Sequence, residues 1–93
     1  MLTYHFDPSL LDIRESMNGE DAEFVIRVPD GSPAVAELKK VHAHFEDNKA
    51  YTDVLFYFYP HHEIKVIVRR EYYAEFLTEL LKRKLLRSLA WKE

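Results

Sequence analysis

Cysteine is absent from the 93-residue chain, which excludes disulfides and thiolate metal sites and fits a reducing compartment. Glycine is scarce: only Gly19 and Gly31 occur, too few for a glycine-rich phosphate loop. Ser9, Ser16, Ser32 and Ser88 lack the glycine-flanked elbow of a nucleophilic serine, so no catalytic residue is assigned. Long apolar runs are missing as well. The longest, Val54 to Pro60, is far shorter than the ~20 residues a membrane-spanning helix needs. The opening Met-Leu-Thr-Tyr-His-Phe-Asp has neither the basic flank nor the apolar core of a signal peptide, so the expected setting is cytoplasmic. No sign of charge dominates. The net charge of −3 offers no global attraction to nucleic acid or to an anionic membrane.

What is present is ordinary globular composition, 47% hydrophobic and 31% charged, with a high aromatic share of 14%. Length fits a single domain over 1–93. Charge is uneven: residues 1–50 hold five Lys/Arg against ten Asp/Glu, and residues 51–93 hold eight against six. So small an asymmetry belongs to solvated faces.

From Glu23 the pattern reads clearly. Phe24, Ile26 and Val28 alternate with Val25 and Arg27, which predicts a strand. Pro29-Asp30-Gly31 turns the chain, Ser32 suits a helix N-cap and Pro33 the first helical position. Val35, Leu38, Val41 and Phe45 then recur at helical spacing, and Asp47-Asn48 ends that helix. Tyr51 to Tyr59 is rich in β-formers, Pro60-His61-His62 makes a tight connection, and Ile64, Val66 and Val68 mark the next strand. Glu71 to about Lys84 carries the helical stripe Tyr73, Phe76, Leu77, Leu80 and Leu81, and Leu85 to Trp91 reads as a last strand. The order over 23–92 is β-α-β-β-α-β, which predicts an α+β, ferredoxin-like two-layer sandwich. Residues 1–22 form an N-terminal extension, with a short strand over Leu2–Phe6. After it, Asp7-Pro8 points to a helix bearing Leu10, Ile13 and Met17, whereas Asn18-Gly19 points to a hairpin. Of the two, the helix is the expected form.

The candidate sites follow from that topology. With even positions facing the helices, the other sheet face presents Arg27, Leu55, Tyr57, Tyr59, Lys65, Ile67 and Arg69. That face is too apolar and aromatic to stand alone in water. Its cover is the N-terminal segment with Leu10, Leu11 and Ile13, a second copy giving a homodimer, or another protein or ligand. The leading expectation is a non-enzymatic domain that self-associates or binds a protein partner there. The alternative is an anion- or small-ligand-recognising domain, or a small enzyme, built at residues 30–34 and 69–71. It takes the two central strands as parallel neighbours, so that the amides after Gly31 and Ser32 meet Arg69 and Arg70.

RNA binding is less favoured. The central strands, Glu-Phe-Val-Ile-Arg-Val and Glu-Ile-Lys-Val-Ile-Val-Arg-Arg, lack the glycine–aromatic run of the RNA recognition motif. No cofactor and no metal is expected. His42 and His44 point to different helix faces, and His61 and His62 lie in a turn ~14 Å along the helix axis from His42. Glu71, Glu75 and Glu79 fall at i,i+4 spacing on an expected solvent face.

Overall fold

The computed structural model describes residues 2–47 and 53–92. Its elements are β1 (Leu2–His5), β2 (Asp12–Asn18), β3 (Asp21–Arg27), α1 (Ala34–Glu46), β4 (Val54–Tyr59), β5 (Glu63–Arg69), a 3₁₀ turn (Arg70–Tyr72), α2 (Tyr73–Lys82) and β6 (Ser88–Trp91). The chain is thus α+β, with a four-stranded sheet in the order β2-β3-β5-β4 and a separate two-stranded sheet of β1 and β6. Of the expected strand over Tyr51–Tyr59, Tyr51 and Thr52 lie outside the described residues, as does Asn48 at the expected helix end.

Every pairing in the main sheet is antiparallel. β5 runs opposite to β3, with Asp21 facing Arg69 and Arg27 facing Glu63. This corrects the expectation of parallel central strands. The physical reason is connection length: α1 carries the chain back so that β4 repeats the direction of β3, and the short Pro60–His62 turn then reverses β5.

The strand order also departs from the ferredoxin-like one at a single position. The place beside β3 expected for the last strand is held by β2, and β6 pairs with β1 instead. The cause lies in residues 7–22, where the helix expectation fails. Asp7 caps one turn only: its carboxylate takes the Ser9 amide at 2.9 Å, and its carbonyl takes the Leu10 and Leu11 amides at 2.9 and 3.1 Å. Leu11 is thereby delivered to the core, and β2 and β3 join through a two-residue loop with Gly19 at φ +64°. A helix there would leave a whole edge of β3 unpaired, whereas the hairpin satisfies it along seven residues.

The core lies between the main sheet and the two helices. Phe24, Ile26, Ile64, Val66 and Val68 from the sheet meet Leu38, Val41 and Phe45 of α1 and Phe76, Leu77 and Leu80 of α2, all essentially fully buried. Phe76 is the hub, 4.9 Å from Phe24, 6.1 Å from Phe45 and 6.2 Å from Phe56 between ring centroids. Ser32 fixes the start of α1. Its hydroxyl accepts the Ala34 amide at 3.2 Å and donates to the Leu10 carbonyl at 2.6 Å, tying the N-terminal turn to the helix.

The end of α2 carries a Schellman motif. The Leu85 amide bonds the Leu80 carbonyl at 2.9 Å and the Lys84 amide bonds the Leu81 carbonyl at 3.0 Å, with both leucines at the motif's hydrophobic contact, Leu80 and Leu85, buried. Lys84 holds the left-handed position at φ +62°, where a side chain with a Cβ is strained. Replacing Lys84 by Gly is therefore expected to stabilise the protein by about 1 kcal/mol in urea denaturation. A loss of stability would contradict this account of the helix end.

Candidate functional site

Strand parity sets the exposed sheet face. Val25, Leu55, Tyr57, Tyr59, Lys65 and Ile67 turn away from the helices because their even-numbered neighbours turn toward them. Leu55, Tyr57 and Tyr59 are 38, 43 and 47% exposed, and Ile67 is half-buried. The N-terminal segment does not cover them. Ile13 sits opposite Ile26 on the helix side of the sheet, and Leu11 and Ile13 belong to the same core as Phe24 and Leu80.

The cations of this face are already matched within the chain. Arg27 Nε lies 3.0 Å from Glu63 Oε1, Lys65 Nζ 2.9 Å from Glu23 Oε1, and Arg69 Nε 3.5 Å from Asp53 Oδ1. The Lys65 hydrogen bond draws the Glu23 carboxyl below its ordinary range, and the same bond raises the Lys65 ammonium. The face therefore carries apolar and aromatic surface with little unbalanced charge. A polyanion bound there would compete with these carboxylates for the same cations.

β4 adds a second feature. It is an edge strand, like β2, but the two edges differ in chemistry. β2 carries Asp12, Arg14 and Glu15; β4 reads Val-Leu-Phe-Tyr-Phe-Tyr and carries no charge at all. Charged residues are the usual guard of a sheet edge, and β4 has none. On the helix side of the same strand, Phe56 and Phe58 pack against the His42 imidazole at centroid distances of 4.8 and 5.2 Å, and Phe58 remains 44% exposed.

The proposed anion set is not assembled. Gly31 and Ser32 follow the end of β3, which lies beside the start of β5, where the Val28 amide bonds the His62 carbonyl at 3.1 Å. Arg69 and Arg70 lie at the other end of β5, beside Asp21. The antiparallel pairing thus separates the two halves by the length of the strands. Arg70 instead lines an open depression of about 360 Å³ with Met17, Glu20, Glu71, Tyr73 and Trp91.

Of two carboxylates with structural partners, Glu15 went unread in the sequence and Glu79 was expected on a solvent face. Glu15, on the helix side of β2, accepts the Tyr4 hydroxyl at 2.7 Å and the Tyr73 hydroxyl at 2.8 Å, joining β1, β2 and α2. Glu79 is buried, not on the expected solvent face. It lies 3.1 Å from Arg83 Nε and 3.7 Å from His44 Nε2, between the two helices. Among the described residues no buried side-chain polar atom lacks a hydrogen-bond partner, and no group of three or more His, Asp or Glu gathers at metal-binding range. No helix among them is long and apolar enough to cross a membrane.

The Glu15 cluster has a pH signature. Burial, then the bonds to Glu15, push both phenols well above their ordinary value of 10.0. A folded-state pKa above the unfolded one gives stability that is complete below about pH 10 and lost as pH rises beyond it. Urea denaturation is expected to show that alkaline loss in the native protein, and a smaller one in the Tyr4→Phe, Tyr73→Phe double variant. Identical slopes in the two proteins would contradict it.

No protein-family model, no curated protein and no solved structure matches this chain.

Proposed function

We propose that the chain is a non-enzymatic domain that associates with itself or with a protein partner through the outer sheet face, with Leu55, Tyr57, Tyr59 and Ile67 as apolar anchors and Arg27, Lys65 and Arg69 as the polar rim. The observation that carries this reading is the concentration of exposed large side chains on one strand: Leu55, Tyr57, Phe58 and Tyr59 all belong to β4. Tyrosine is favoured at interface hot spots because it buries a large, stiff apolar body while keeping a polar tip. The in-chain pairing of all three rim cations favours protein contact over RNA or a free anion. The cysteine-free composition fits the reducing cytoplasm. On this reading β3, α1, β4, β5 and α2 make up a ferredoxin-like core in which β2 stands in for the last strand.

Analytical ultracentrifugation tests the reading. The native chain is expected to sediment as an assembly at about 100 µM, and Tyr57→Asp is expected to weaken that assembly about 10-fold or more with an unchanged circular dichroism spectrum. A native protein that stays monomeric at that concentration would argue against self-association.

A further inference from the structure

We infer that the partner on this surface is a second copy of the chain, added edge to edge along β4 in antiparallel register, so that two four-stranded sheets become one of eight strands. The inference rests on the reading of the outer face given above and adds the occupant and its register.

The backbone supplies the argument. The Arg69 amide bonds the Asp53 carbonyl at 2.9 Å, which fixes the phase of the β4–β5 ladder. In an antiparallel ladder, residues that bond the neighbouring strand alternate with residues that point away from it. Leu55, Tyr57 and Tyr59 therefore spend their N–H and C=O groups on β5. Val54, Phe56 and Phe58 direct theirs to the open side, where no described residue pairs with them. The chemical complement of three such residues in a row is another extended strand.

A two-fold axis at Phe56 meets that demand. It sets Phe56 opposite Phe56 of the second copy and Val54 opposite Phe58. All six outward groups of each β4 are then paired. Moving the register two residues toward the turn sets Val54 against Pro60, which has no N–H to give, so a carbonyl is left over. The centred register also places Leu55 beside Tyr57 of the second copy on the outer face, as close cross-strand neighbours, with Ile67 adjacent in each sheet. Among the described residues no like-charge contact opposes it. β4 has no charged side chain, and the nearest cations, Lys65 and Arg69, are each paired in their own chain.

Amide hydrogen exchange, followed by NMR on the full chain at concentrations below and above the association midpoint, tests the proposal. Val54, Phe56 and Phe58 amides are expected to slow about 10-fold or more on association, while Leu55 and Tyr57, already bonded to β5, serve as the protected reference. Phe58→Pro, which spares every bond to β5 but removes an outward-facing N–H together with the ring packed on His42, is expected to abolish association. Should the native chain associate while the three amides keep their monomer rates, or should Phe58→Pro associate as well as the native chain, edge pairing is overturned and a stacked-face contact remains. A native chain that is monomeric throughout overturns both. If Phe58→Pro fails to fold, the exchange rates of the native chain decide alone.

Discussion

The antiparallel pairing of β3 with β5 is the constraint on which the rest of the molecule depends. It puts Phe24 against Val66 and Ile26 against Ile64, so one face of both strands is apolar and both helices are drawn to it. It also sends the opposite face, with Val25, Lys65 and Ile67, into solvent. Because β5 turns back from β4, the central pair leaves β4 at one margin and β2 at the other. Burial of the helix-facing side chains, each contributing roughly 1.5–3 kcal/mol before chain entropy is subtracted, makes a slip of one residue prohibitive, since it would turn the whole apolar set outward.

The two margins illustrate how a small sheet handles its edges. β2 is charged, and its Glu15 is held by two phenols that bind the small β1–β6 sheet to the helix layer. Asp7 and Arg87 make a second tie, 3.0 Å apart, between the N-terminal turn and the approach to β6. Hydrogen bonds from Ser9, aided by Arg87, hold the Asp7 carboxyl down at about 2. The N-terminal extension is thus spent on guarding the β3 edge and the helix layer, and none of its described strands pairs with β4. An uncharged aromatic edge that a protein leaves open is either a hazard or a contact, and the outward backbone groups of Val54, Phe56 and Phe58 are the feature that distinguishes β4 from a merely greasy surface.

Much of this architecture was legible in the residues. The alternation in Glu23–Val28 and in Glu63–Arg69 and the stripes of both helices reflect periodicities that burial enforces directly, and they placed Tyr57 and Ile67 on the outer face. The stretch after Asp7 carried two conflicting signals: Asp7-Pro8 begins a single capped turn and a helix alike, while Asn18-Gly19 marked the hairpin that forms, and only the demand of β3 for an edge partner decides between them. The direction of β5 was within reach, since a tight turn after β4 reverses the chain; taking it as parallel is what created the anion site. The Tyr4–Glu15–Tyr73 and His44–Glu79 contacts join residues far apart in sequence, where no spacing rule operates.

The absence of cysteine offers the most direct test. A single Cys placed at Phe56 has no partner within its own chain, so any disulfide formed must join two copies. Residues facing each other in a bonded antiparallel pair lie about 5.5 Å apart at Cα, within reach of a disulfide. The account predicts that Phe56→Cys is trapped as a covalent dimer under mild oxidation, well ahead of a control Cys at exposed Asp30. Cross-linking of Phe56→Cys no faster than that control would contradict it.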